Sequence, residues 1–182
     1  MEIGKEQAHT LFDDYSTYVY RVAYLLTKSN MQAEDITQEA FIQAFRKFSS
    51  YDPNKPFKPW ISKIAVNLAR NNMRKTRWLS FFAGVPEHDR VDGIEASILE
   101  NERDRELWLE VNKLSRKRKE VVVLHFYADL KLYEVADILG IPLGTCKSRL
   151  HSALNMLRKQ MMDTESYLLI KGGETIEQSS GH

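Results

Sequence analysis

Apolar residues recur along this chain at intervals of three and four, the period of an amphipathic helix, and no stretch of useful length alternates at the strand period of two. Ala8, Leu11, Phe12, Tyr15, Val19, Val22, Ala23 and Leu26 form a first stripe over residues 6–28, which Ser29 and Asn30 end. Residues 31–51 carry a second: Ala33, Ile36, Ala40, Phe41, Ala44, Phe45 and Phe48 lie on one face, with Glu34, Asp35, Gln38, Glu39, Gln43 and Arg46 outward. Three prolines in 52–59 predict an extended loop. A third helix over 60–78 places Ile61, Ile64, Ala65, Leu68 and Met73 inward. Three such helices in sequence predict a helical bundle.

After a loop-like, acidic stretch the helical period returns near 94–111 and again over 116–127, where Val121, Val123, Leu124 and Phe126 are apolar. Residues 131–159 then read as helix, tight turn and helix. Val135, Ala136 and Leu139 face inward on the first; Gly140 sits where the chain must turn, and Pro142 cannot continue a helix interior, so 141–144 is the connection. On the second helix Cys146, Leu150, Leu154 and Leu157 make the apolar stripe, leaving Thr145, Lys147, Ser148, Arg149, His151 and Ser152 on the other faces near its N-terminal end. From such positions a recognition helix reaches base edges and phosphates in a major groove. An ordinary helical hairpin with a solvated basic face is the plainer reading of these residues alone. Residues 164–182, polar, with a Gly-Gly pair and ending in Ser-Ser-Gly-His, read as a disordered tail.

The net charge of +1 conceals a segregation. Residues 1–78 hold 12 Lys and Arg against 8 Asp and Glu, 79–112 hold 3 against 9, and 113–163 hold 10 against 5. Two basic modules joined by an acidic connector suit polyanion binding. From Pro53 to Pro86 there is no acidic residue, and Lys58, Lys63, Arg70 and Arg74 are interleaved there with Phe57, Trp60, Asn67 and Asn71. Cations neutralise phosphates, aromatic rings stack on unpaired bases and amides bond base edges; Trp60, at the start of an amphipathic helix, is read first as a core residue. One Cys excludes an internal disulfide framework, so a reducing, cytoplasmic setting is expected. No apolar run is long enough to span a bilayer, and the first residues lack the pattern of a signal peptide.

The motifs AEDITQEAFIQAFRKF (33–48), FKPWISKIAVNLARNNMRK (57–75), the helix at 114–127 and YEVADILGIPLGTCKSRLHSAL (133–154), taken in this order and spacing, resemble the extracytoplasmic-function (ECF) sigma factors of bacterial RNA polymerase over about residues 8–160. The resemblance implies an all-α fold of two helical domains. Sigma domain 2 would span 1–78, a flexible acidic linker 79–110, and sigma domain 4, with its helix-turn-helix, 111–163. It implies that Asp35, Gln38, Glu39 and Arg46 face core RNA polymerase. It also implies that Phe57, Lys58, Lys63, Asn67, Arg70, Asn71 and Arg74 hold the promoter's −10 strand, with a base flipped out of the stack and read by Asn71. Thr145, Lys147, Ser148, Arg149, His151 and Ser152 would enter the −35 major groove. An anti-sigma partner, often membrane-bound, is implied as well, with no cofactor, metal or small-molecule substrate. The linker would run towards the RNA exit channel, its acid (Glu100, Glu102, Asp104) mimicking nucleic acid. Departures from the family pattern are Asn71 where many members carry an acid, Ser115 for Pro, Lys131 for a Ser or Thr cap, and Cys146 for Val.

Two other readings compete. A stand-alone helix-turn-helix regulator needs an input domain or a dimer interface, yet residues 1–78 look like a second nucleic-acid surface. A nuclease or other enzyme needs clustered carboxylates or an activated nucleophile. Asp13–Asp14 and Glu34–Asp35 have no acidic or His partner at useful spacing, and Cys146 with His151 lacks the further ligands of a zinc site. Trp78, Leu79, Phe81 and Phe82 form either a partner-binding patch or part of the first domain's packing.

Overall fold

The structure, a computed structural model, describes the backbone of residues 3–83 and 102–177, with side chains over 3–76, 78 and 107–161. Helices α1 (Lys5–Thr27), α2 (Asn30–Arg46) and α3 (Phe57–Ala83) pack on one another as the first domain. Helices α4 (Glu102–Lys113), α5 (Arg116–Val122), α6 (Leu132–Leu139) and α7 (Leu143–Glu177) build the second. No strand occurs among the described residues.

Local chemistry sets the boundaries. Lys28 leaves α1 in the left-handed conformation at φ 58°. The next residue, Ser29, caps α2 by accepting the Gln32 N–H at 3.3 Å. In the following loop Asp52 Oδ1 accepts the Asn54 N–H at 3.0 Å, an Asx turn, and the Tyr51 hydroxyl donates to the Lys55 carbonyl. The helix after it starts at Phe57 rather than Trp60. Pro59 falls in its first turn, where the missing N–H has no helical acceptor to lose. Most of the predicted apolar positions turn inward, with Ala33, Ile36, Ala40, Ala44, Ile61 and Ala65 at most 1% exposed, whereas Phe12, read as part of the first stripe, is 41% exposed.

In the second domain α4 docks through Trp108, 1% exposed and edge-on to Tyr127 at 5.4 Å. The buried Lys119 lies over that indole and donates to Asn112 Oδ1 at 2.9 Å. α5 ends in a π-helical turn, Val123–Tyr127, closed by Ala128 N–H to the Val123 carbonyl, and this turn rotates Phe126 outward to 54% exposure. A Schellman motif stops α6: Gly140 at φ 64° donates to the Asp137 carbonyl, and Ile141 to that of Ala136. Lys131 offers no acceptor as a cap, but Glu134 three residues on accepts its N–H at 2.7 Å.

Two expectations are corrected. On α7 the inward stripe is Cys146, Leu150, Ala153 and Leu157; Leu154, 36% exposed, falls outside it, because spacings of four, three and four follow the 3.6-residue period more closely than four, four and three. The same helix continues to Glu177, so the backbone of 164–177, read as disordered, is helical. Residues 160–171 are mostly good helix formers without Pro, and Gly172–Gly173 cost only about 1 kcal/mol each. Residues 84–101, with most of the acidic linker including Glu100, lie outside the described residues, as do 178–182. Trp78 is 61% exposed.

Candidate nucleic-acid interface

Lys63, Asn67, Arg70 and Arg74 are spaced four, three and four along α3 and share one face. Lys63, Asn67, Asn71 and Arg74 are exposed; Arg70 is partly buried. Lys58, the second residue of α3, lies 5.0 Å over the Tyr18 ring. The Tyr18 hydroxyl is 2.7 Å from Ser62 Oγ, and burial, the largest cause, pushes its pKa up to about 12.

At the N-terminal end of α3 the rings of Tyr51, Phe57 and Trp60 lie within 5.5 Å of one another. Phe48 joins them, 6.5 Å from Trp60. Phe57 is 5% exposed and also packs on Tyr15, so it belongs to the core and offers no face to a base. Trp60, only half-buried, stays at the surface of the cluster and lines a 530 Å³ cleft with Tyr51, Lys55 and Lys63. The expected order of these two rings is thereby reversed. Trp60 reads as core from its place in the helix, but the earlier start of α3 turns Phe57 inward instead.

On the recognition helix Lys147, Ser148 and His151 are exposed, and Asn155 Nδ2 lies 3.0 Å from His151 Nε2. Thr145, Arg149 and Ser152 are half-buried. The Thr145 carbonyl accepts from the Ser148 hydroxyl at 3.0 Å, and Ser152 Oγ accepts from Arg118 Nε at 3.0 Å, which holds α7 to α5. Arg149 turns away from the outward face and lines a 590 Å³ cleft with Arg70, Arg74, Arg116 and Lys117. Burial raises the pKa of the Cys146 thiol beneath this helix.

The two domains meet across that cleft. Arg70 makes a bidentate bond to Glu120, Nη2 to Oε2 at 2.7 Å and Nε to Oε1 at 3.0 Å, while its Nη1 donates to the Leu139 carbonyl at 3.2 Å. The bond to Glu120 pushes the Arg70 pKa further above its usual range. Lys63 Nζ is 2.9 Å from Asp137 Oδ2, and Lys58 Nζ is 3.8 Å from Asp129 Oδ2. The sequence reading did not anticipate Glu120, Arg116 or Lys117 in a site. The run RKRK at 116–119 marks the two cations, but a glutamate after four cations reads as a solvated partner, not as a residue 1% exposed.

On α2, Asp35, Gln38 and Arg46 are exposed. Glu39, half-buried, accepts from Gln43 Nε2 at 2.8 Å. Met31 and Ile42, 70% and 44% exposed, lie on the same side at helical spacing. They add apolar area to a face read from its polar residues alone.

Comparison with known proteins places this geometry. The Sigma-70 region 2 family model matches residues 11–79, and the Sigma-70 region 4 model matches residues 104–157. The ECF RNA polymerase sigma factor SigW of Bacillus subtilis (strain 168) is 32% identical over 164 residues, covering 84% of this chain and 88% of its own. The ECF RNA polymerase sigma-E factor of Haemophilus influenzae is 30% identical over 171 residues, 87% and 89% of the two chains. Among solved structures, the sigma factor RpoE in complex with the anti-sigma factor NepR from Bartonella quintana has the same fold, with a TM-score of 0.67 over 85% of this chain and 96% of that one at 22% identity. CnrH in complex with the cytosolic domain of CnrY gives 0.66 over 88% and 90% at 19% identity. Two sigma-70 regions in this order on one chain, with relatives aligned over most of both lengths, make this protein a member of the ECF family of RNA polymerase sigma factors.

Proposed function

We propose that the chain directs promoter-specific initiation by core RNA polymerase with a division of labour between its two domains. The acid-free face of α3 takes the −10 strand and the exposed side of α7 reads the −35 element. The observation that carries this reading is the face of Lys63, Asn67, Arg70 and Arg74, continuous with the amide of Asn71 and bordered by Trp60. Phosphates fit the cations, and an extruded base fits the ring and the amides. Within α7, Lys147, Ser148 and His151 are the residues free to enter a major groove. Thr145, Arg149 and Ser152 act from the flank.

The exposed side of α2, Asp35, Gln38 and Arg46 with Glu39 at its border, is the docking face for polymerase. Ile42 supplies an apolar centre there, and charged rims round such a centre are the ordinary anatomy of an interface. An inhibitory protein partner is proposed by fold likeness, since RpoE is described in complex with the anti-sigma factor NepR. No described helix is long and apolar enough to cross a membrane. Sigma factors are not an enzyme class, and the first domain's region 2 match leaves the stand-alone regulator without an input domain.

Gel filtration with core RNA polymerase from the same host, without DNA, tests the reading. Stoichiometric co-elution, followed by promoter-dependent transcripts from the reconstituted holoenzyme, is the expected result. Failure of folded protein to bind core, together with tight sequence-specific binding to naked duplex DNA, overturns it in favour of the regulator.

A further inference from the structure

The 590 Å³ cleft between the domains is lined by five cations and a single carboxylate. Arg70 and Arg74 come from α3, Arg116 and Lys117 from α5, and Arg149 from α7. The carboxylate is Glu120, which Arg70 already holds through two nitrogens. Arg116 Nε approaches the same carboxylate only to 3.6 Å. Among the described residues Arg74, Lys117 and Arg149 have no carboxylate within 4.0 Å, and Arg74 reaches only the neutral Asn71 Oδ1 at 3.5 Å. A solvated basic face points its cations outward, whereas Arg149 is half-buried and turned into the cavity. Like charges gathered in one cleft repel, and an anion placed among them removes that cost.

We propose that this cleft is a binding site for a small polyphosphate anion, held from both domains at once. Its volume falls within the range of about 300–1,000 Å³ in which small-molecule sites lie. Guanidinium groups meet phosphoryl oxygens with paired N–H donors, and an ammonium adds a point charge. Three uncommitted cations with Arg116 beside them match a multiply charged ligand rather than a monophosphate. Their convergence from three helices suits charge packed on adjacent phosphoryl groups; a nucleic-acid strand spreads its charge along a line. Asn67 and Asn71 of α3 and Ile141 of the helix-turn-helix complete the lining. A nucleoside triphosphate would set its base edge on these amides and its apolar surface on Ile141, whereas an inorganic polyphosphate would use the cations alone. The site stands on this geometry and does not depend on the assignment of α3 to the promoter strand.

Calorimetric titration of the full chain tests the site, at constant ionic strength and without divalent metal, using inorganic tripolyphosphate, ATP, AMP and orthophosphate. One tripolyphosphate should bind per chain, at least about tenfold more tightly than orthophosphate. Arg74→Gln on α3, Lys117→Gln on α5 and Arg149→Gln on α7 should each weaken it by about tenfold, the loss of one charge-assisted contact. Arg158→Gln/Lys159→Gln removes two exposed cations of α7 outside the cleft and should leave binding unchanged. Should Arg149→Gln lose its helical circular dichroism, Arg74→Gln and Lys117→Gln, which alter only exposed side chains, decide. ATP binding more tightly than tripolyphosphate upholds the site and assigns it to a nucleotide; ATP binding equally or more weakly upholds it for an inorganic chain. Tripolyphosphate no tighter than orthophosphate, several anions per chain, or equal losses in the control and the three variants would overturn it, leaving a diffuse basic surface. A loss confined to the variants of one domain would overturn it as a site built by both.

Discussion

Glu120 illustrates how much one carboxylate can organise. It is 1% exposed, bound twice by Arg70 and approached by Arg116. A buried charge is tolerated only with such partners, so the two single truncations are unequal. Arg70→Ala leaves the carboxylate buried with only the 3.6 Å contact, and should lower unfolding free energy by about 3 kcal/mol. Glu120→Ala leaves an arginine that can turn to water, and should cost about 1 kcal/mol beyond lost packing. Urea midpoints of the two single variants and the double check this; equal losses would place the ion pair outside the stability of the fold. Tyr18 makes a second prediction. Its folded pKa, about 12, lies above the unfolded 10.0, so the buried neutral hydroxyl contributes stability that is fully present below pH 10 and lost as pH rises towards 12. The loss amounts to roughly 2–3 kcal/mol. Subtracting the alkaline stability profile of Tyr18→Phe from that of wild type isolates it, and parallel profiles would show that the hydroxyl titrates freely. Neither residue announces itself in the sequence: Glu120 follows four cations, and Tyr18 lies outside the stripe that predicts α1.

At the scale of elements the reading from periodicity transfers well, and its failures have definite causes. The stripes of α1, α2 and α3 become one core because each repeats for several turns, and the Gly140–Pro142 punctuation marks the turn of the helix-turn-helix correctly. Boundaries move where a local device outweighs composition. Pro59 is absorbed in the first turn of α3, which turns Phe57 inward, and the π-helical turn at Val123–Tyr127 rotates Phe126 to the surface. The candidate site was legible wherever charge excess marked it, as on α3 and α7. What the sequence left unread is the setting that another element gives a side chain, as with Arg149 in the interdomain cleft or Ser152 held by Arg118. The outer face of α2 yields a test at this scale. Ile42, 44% exposed between Gln38 and Arg46, contributes little to the core but would be buried by any partner on that face. Ile42→Glu should therefore leave thermal stability within about 0.5 kcal/mol. It should weaken binding to core polymerase by tenfold or more, a loss of about 1.4 kcal/mol or more. Titration of labelled protein with core, beside melting curves, reads both; unchanged binding would move the docking surface elsewhere.

For the whole molecule, the contacts between domains differ in their exposure to solvent, and salt distinguishes them. Screening shortens from about 10 Å at 0.1 M ionic strength to about 3 Å at 1 M, and it acts mainly on exposed charges. Lys63–Asp137 and Lys58–Asp129 lie in that regime, whereas Arg70–Glu120 is shielded, its Glu120 side chain 1% exposed beside the packing of α3 on α6, and reinforced by the Leu139 carbonyl. If the exposed pairs chiefly orient the second domain and the insulated pair holds it, raising salt leaves the wild-type protein compact. Glu120→Gln, which keeps the shape and one acceptor but removes the charge, leaves the contact between the domains dependent on the two screened pairs, so this variant should expand over the same salt range. The radius of gyration of both proteins across the titration decides the point. Wild-type expansion at moderate salt would mean that the exposed pairs carry the contact between the domains. Compactness of both proteins throughout would assign the contact between the domains to the packing of α1 on the π-helical turn and of α3 on α6 rather than to the charges.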